Sequence, residues 1–228
     1  MFNARDLGGY PTLDGGTTRW RSILRADDPA QLTPEGLDAI AAAGIATIVD
    51  LRWPEEAAGS PSPIPGKLRN VRHHSISLLA GSAMKWAQVC GEPPKETWIT
   101  AVLMHSRTEL VAVLRAIATA PAEPVMFHCV AGKDRTGAVA AVLLALAGVQ
   151  PEAIAADYAA SAENLRDYYL RRYSNLSREE ILEAVRCPPE GVHRMLDYLR
   201  SHGGIEAFLA SLGMSETELV QLRLRLRG

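Results

Sequence analysis

At 228 residues and 47% apolar composition, the chain can bury one sizeable core, and nothing in it forces a second domain. Its 24 basic and 26 acidic residues leave a net charge of -2, which argues against a general nucleic-acid binder. Cys90, Cys129 and Cys187 are too sparse for a disulfide framework and suit a reducing compartment, while the longest apolar run, Ala138 to Val149, is too short to cross a bilayer of about 30 Å. With no basic-then-apolar leader at the start, the expected location is the cytoplasm.

In chain order, Thr17 to Leu24 alternates polar and apolar residues as an edge strand does, with Arg19, Arg21 and Arg25 interleaved. A solvated edge face is the simpler reading of these arginines, and attraction of phosphate is the other. Thr33-Pro34-Glu35 supplies an N-cap, a first-turn proline and a first-turn acid, and Gly44 closes that helix before a strand over Ile45 to Val49 that ends at Asp50. Residues Ala57 to Gly66, rich in proline and glycine, read as an irregular connection. His73 and His74 form a pair without a recognisable third ligand, so a metal site there is not expected.

The stretch 82–118 reads as helical, with Trp98, Val102, Leu110, Val113, Leu114 and Ile117 as its apolar residues. Pro124 to Phe127 then reads as a short buried strand and Thr136 to Leu146 as an apolar helix. Beyond it the chain turns wholly helical, over Glu152 to Arg172, Arg178 to Val185, Val192 to Ser201, Ile205 to Leu212 and Ser215 to Arg227. In the last of these Leu219, Leu222 and Leu226 share one face, and the arginines suit a helix C-terminus; a membrane-surface role for that tail is the minor reading. The pattern predicts an α/β fold: a central, mostly parallel sheet flanked by helices, with a helical C-terminal part.

Between the buried strand and the apolar helix lies His128-Cys129-Val130-Ala131-Gly132-Lys133-Asp134-Arg135-Thr136-Gly137. It places a cysteine and an arginine at the two ends of a tight, glycine-containing turn. If that loop wraps an oxyanion, the backbone N–H groups of Val130, Ala131, Gly132, Lys133, Asp134 and Arg135 form a nest, and the start of the following helix adds partial positive charge. The same positive potential favours the thiolate of Cys129, a nucleophile able to attack phosphorus. Arg135 offers a planar fork for two equatorial phosphoryl oxygens. Thr136 is either an N-cap or a hydroxyl donated to the sulfur. Gly132-Lys133 is followed by Asp134 and lacks the earlier glycine of a nucleotide-binding P-loop, which excludes that class.

These residues resemble the cysteine-dependent protein tyrosine phosphatases, and more narrowly the bacterial atypical group whose loop reads His-Cys-x-Ala-Gly-Lys-Asp-Arg-Thr-Gly. Shorter segments are similar too: Asn3-Ala4-Arg5-Asp6-Leu7-Gly8-Gly9-Tyr10, Arg19 to Asp27, Asp50-Leu51-Arg52, and Asp157-Tyr158 with Ser161 and Asn164. The resemblance implies one phosphatase domain over 1–228, with no metal or other cofactor and a two-step reaction through a phosphocysteine. It implies phosphotyrosine as substrate, with phosphoserine, phosphothreonine or phosphoinositide as extensions. Helices around 82–118 then form a mobile lid or merely cover the sheet. Members exported without a conventional signal leave that route open.

Two aspartates compete as general acid: Asp134 in the loop, the position that looks like the acid in this group, and Asp50 at a strand's C-terminal end. Lys133 reads equally as a solvated surface lysine or as a second cation for a phosphoinositide head group. His128 orients Cys129 or is a satisfied core histidine. The alternatives to a protein phosphatase are a phosphoinositide or inositol phosphatase and a non-catalytic phosphate-binding module; intact Cys129, Asp134, Arg135 and Thr136 weigh against the module.

Overall fold

The computed structural model describes residues 1–68, 70–79 and 98–227. Five strands form one sheet: β1 (Arg5–Asp6), β2 (Ile23–Ala26), β3 (Thr47–Asp50), β4 (Arg72–Ser75) and β5 (Val125–His128), in the order β1-β2-β5-β3-β4. β2, β5, β3 and β4 run parallel, and only β1 is antiparallel to its neighbour.

β5 is central because its residues are buried on both faces, as a parallel strand between helical layers requires. Val125 and Phe127 point into the larger core, and Met126 joins the smaller one with Ala26, Ile40, Ile48 and Ile64. That smaller layer holds α1 (Pro34–Ala42) and α3 (Ile64–Lys67). Thr33 caps α1 as its sequence implies, its Oγ1 accepting from Gly36 N at 3.2 Å. The larger layer is built round α6 (Asp134–Leu146), whose residues from Thr136 to Leu144 are all buried, so it is apolar on every side.

The segment 98–118 belongs to this layer. α4 (Trp98–His105) packs on α6 and on α9 (Glu190–Ser201), and α5 (Arg107–Ala118) packs against β3 and α11 (Glu216–Arg227). Both helices bury Ile99, Val102, Leu103, Leu110, Val113, Leu114 and Ile117. These two helices are built into the larger core, while 82–97, with Cys90, lies outside the described residues. α7 (Pro151–Arg172) packs on α6, α8 (Arg178–Val185) and α9, and α10 (Ile205–Ser211) completes the helical part.

Three local expectations are corrected. The strand expected over Thr17 to Leu24 forms instead at Ile23–Ala26 and lies inside the sheet, between β1 and β5. Arg25 is accordingly 0% exposed, whereas Arg19 and Arg21 face solvent. Residues 57–66 are not wholly irregular, since α2 (Pro54–Gly59) and α3 each begin with a proline in the first turn. The tail offers no free basic face: Arg223 pairs with Glu206 and Arg227 with Asp14, each at 2.6 Å, and Arg225 donates to the carbonyls of Ala120 and Glu123. Among the described residues no helix is long and apolar enough to cross a membrane.

Candidate active site

The segment between β5 and α6 holds its carbonyls on one side. Val130 O accepts from Asp28 N at 2.9 Å, Ala131 O and Gly132 O each accept from Asn3 Nδ2 at 3.0 Å, and Lys133 O accepts from Gly137 N at 2.7 Å. In a trans peptide the carbonyl and the next N–H point in opposite directions. The N–H groups of Ala131, Gly132, Lys133 and Asp134 are therefore aimed away from these partners, into a common cradle. The first N–H groups of α6 add to it, because a helix start leaves them without intrahelical acceptors. Gly132 makes the turn possible: its φ is +64°, and a Cβ there would lie 2.6 Å from Ala26 O.

Cys129 sits at the end of β5 with 2% of its surface exposed. Arg135, one position into α6, is held from three sides. Glu56 receives both guanidinium ends, Nη1 at 2.6 Å and Nη2 at 2.8 Å; the Trp53 ring lies 4.9 Å from the guanidinium carbon; Leu51 O accepts from Nη1 at 3.4 Å. Glu56 is itself fixed by the Trp53 N–H at 2.8 Å, at the start of α2. Thr136 is not an N-cap, because Lys133 holds that place; its hydroxyl is fully buried and has no hydrogen-bond partner among the described residues. His128 is buried, with Nδ1 3.3 Å from the carbonyl of Cys129, and burial depresses its pKa despite the nearby Asp50.

The two aspartates are separated by their surroundings. Burial works against ionising Asp50, but Arg52 outweighs it, donating Nε to Oδ1 at 2.9 Å and Nη2 to Oδ2 at 2.7 Å, and the net pKa is lowered. Asp134 is shifted the other way. Its side chain keeps 26% exposure, yet the protein packed round it raises its pKa through desolvation, against the opposing influence of Lys133 at 3.7 Å and a 3.1 Å hydrogen bond from Tyr158. Lys133 is neither a solvated lysine nor aimed at open solvent: its side chain is 13% exposed, and Nζ donates to Ala184 O at 2.8 Å and Arg186 O at 3.4 Å at the C-terminal end of α8.

A family model described as "Tyrosine phosphatase family" matches residues 1–228. The chain belongs to the tyrosine phosphatase family. The enzyme is a protein-tyrosine phosphatase, 34% identical over 223 residues to a tyrosine-protein phosphatase of Nostoc commune, an alignment covering 90% of this chain and 74% of the relative. A relative from Cupriavidus necator is 26% identical over 197 residues, 82% of this chain and 70% of its own. Among solved structures, P. aeruginosa TpbA aligns at 17% identity and a TM-score of 0.38, covering 72% of this chain and 86% of TpbA. A TpbA variant in complex with phosphotyrosine aligns at 17% identity and a TM-score of 0.35, covering 77% and 86%.

Beside the segment between β5 and α6 opens a cleft of about 300 Å³, with Val130 and Ala131 on one side and Phe2, Tyr168, Tyr169 and Tyr173 on the other. Phe2 stacks on Tyr168 with ring centroids 4.2 Å apart. Neither this wall nor Glu56 and Trp53 was evident from sequence. The only trace of Glu56 is a first-turn acid after Pro54, which ordinary helix starts also carry.

Proposed function

We propose that this phosphatase hydrolyses phosphotyrosine through a phosphocysteine, with Cys129 as nucleophile, Arg135 as oxyanion clamp and Asp134 as general acid. The observation that carries this reading is the opposite tuning of the two aspartates beside a cradle of inward N–H groups. A general acid must hold its proton near the working pH, and only Asp134 is shifted in that direction.

In the first step the Cys129 thiolate attacks phosphorus; an S–P bond forms as the P–O bond to the phenol breaks, and Asp134 gives its proton to the departing oxygen. The developing negative charge on the equatorial oxygens meets the loop N–H groups and the edge of Arg135 that Glu56 leaves free. In the second step water attacks the phosphocysteine, Asp134 takes a proton from that water, and the sulfur leaves with inorganic phosphate released. The Thr136 hydroxyl, unpartnered among the described residues, donates to the departing thiolate. His128 supports Cys129 from the strand side, and Asp50 orders Arg52 rather than serving as acid. The aromatic wall of the cleft suits a phenyl ring. Lys133 is engaged by α8, so it offers a polyanionic lipid head group no free cation. The cytoplasm, which keeps a catalytic thiol reduced, is the proposed location.

The test is phosphate release, in EDTA and reductant, from phosphotyrosine, phosphoserine and phosphothreonine peptides and phosphoinositides, with Cys129→Ser alongside. Release from phosphotyrosine that vanishes in the variant supports the proposal. A preference for a lipid, or release that survives the substitution, overturns it.

A further inference from the structure

We infer that Asp157, on α7, sets the phosphate loop in its anion-binding form through two buried arms, and that Asn3 and Arg25 at the ends of those arms are positioning residues for oxyanion binding. The inference rests on the proposed reading of the loop as an oxyanion cradle. It concerns the side of the loop that faces away from any substrate.

The first arm runs through Arg5. Arg5 Nε donates to Asp157 Oδ1 at 2.7 Å, and its Nη2 donates to Asp157 O at 2.7 Å and to Ser161 Oγ at 3.0 Å. Arg5 Nη1 then reaches Asn3 Oδ1 at 2.6 Å, which Asn164 Nδ2 also approaches at 3.3 Å. With donors on its oxygen, the Asn3 amide must turn its nitrogen to the loop, and that nitrogen binds Ala131 O and Gly132 O. The reversed amide would set an oxygen against two carbonyls. The second arm is Arg25, wholly buried, whose Nη1 pairs with Asp157 Oδ2 and whose Nη2 donates to Gly132 O at 2.6 Å and Lys133 O at 3.4 Å.

A cradle of converging N–H groups has a necessary reverse side, where the matching carbonyls gather their partial negative charge. Left to itself, that arrangement of aligned dipoles is unfavourable and would relax when no anion is bound. Here one amide and one buried guanidinium meet the carbonyls, and a single carboxylate holds both donors. The loop is thereby preorganised, so that binding an oxyanion requires little rearrangement. Asn3, Arg5, Arg25 and Asp157 come from three separate chain segments, and this device gives their short sequence motifs a common physical purpose.

The decisive variant is Asn3→Ala. It removes the amide but keeps the backbone bonds from Phe2 N and Asn3 N to the Asp27 carboxylate, so the N-terminal segment stays anchored. Tungstate affinity by calorimetry, kcat and KM on p-nitrophenyl phosphate, and thermal unfolding are measured together. The expected result is tungstate binding weakened about 10-fold or more and kcat lowered about 10–100-fold, with one cooperative unfolding transition kept. Asn3→Asp, of the same shape but accepting only, is expected to fall below Asn3→Ala in both tungstate affinity and kcat. Tungstate affinity and kcat within about twofold of wild type in Asn3→Ala, or Asn3→Asp equal to wild type, would overturn the inference. Wild-type protein that binds no tungstate would instead overturn the cradle reading, and the inference with it.

Discussion

At the scale of single residues, the site is governed by which charge stands beside which. Arg135 is clamped by Glu56 across both Nη atoms and covered by Trp53, so its guanidinium is held in one orientation. Glu56→Gln is expected to lower kcat/KM on a phosphotyrosine peptide by about tenfold, through a freer guanidinium. Tighter phosphate inhibition in that variant would show that Glu56 competes with substrate instead. The pH profile tests the aspartates. A protonated acid is needed, so activity falls as pH rises through the raised pKa of Asp134, and this alkaline limb should disappear in Asp134→Asn together with most of kcat. Asp50→Asn should keep the limb; if it loses the limb and Asp134→Asn does not, the roles are reversed. The loop of Cys129 and Arg135 was legible in sequence as a family signature because its spacing is fixed, whereas Glu56 was not, since its contact arises only where α2 meets α6.

At the scale of elements, a lysine expected at the surface or at a lipid head group turns out to tie the segment between β5 and α6 to α8. Lys133 donates to carbonyls at the end of that helix, where a cation meets the negative end of the dipole. Lys133→Met is expected to cost about 0.3–1 kcal/mol of stability in denaturant unfolding and to slow all phosphorylated substrates by a common factor. A loss confined to phosphoinositides would restore the head-group reading. Gly137 shows why the motif ends in glycine: a Cβ there would lie 2.8 Å from the Tyr158 ring, and that ring carries the hydroxyl bound to Asp134. Helix existence was readable from apolar period and caps, with α8 recovered at Arg178–Val185 and α1 capped by Thr33 as expected. The start of α6 was not, because Asp134 and Arg135 become helical only once the loop closes round Gly132.

At the scale of the whole molecule, β5 joins two cores of unequal size, and α6 is the axis of the larger. Phe127→Ala, two residues before Cys129, is expected to cost about 3–5 kcal/mol in chemical unfolding. The buried Asp157 is expected to contribute to acid sensitivity of the fold. Burial alone would raise its pKa, but Arg25 and Arg5 outweigh that and lower it, so its contribution is fully present above about pH 4 and is lost as pH falls through the lowered folded value. Asp157→Asn should flatten the acid side of the stability curve, and an unchanged acid midpoint would show that other carboxylates control it. Arg25 was misread for the same whole-molecule reason: an alternating segment with arginines resembles a solvated edge until the sheet order places it beside β5.

The sequence by itself determined the family and the α/β class, because both depend on local spacing: cysteine to arginine across a tight turn, and apolar runs that alternate between strand and helix lengths. Only the tertiary structure decided in which direction each aspartate is shifted, where Lys133 directs its charge, and what holds the loop carbonyls. Those properties are set by neighbours far apart in the chain, Asn3 and Arg25 beneath Gly132 and Glu56 across Arg135, and electrostatic environment and burial exist only once those segments are packed together.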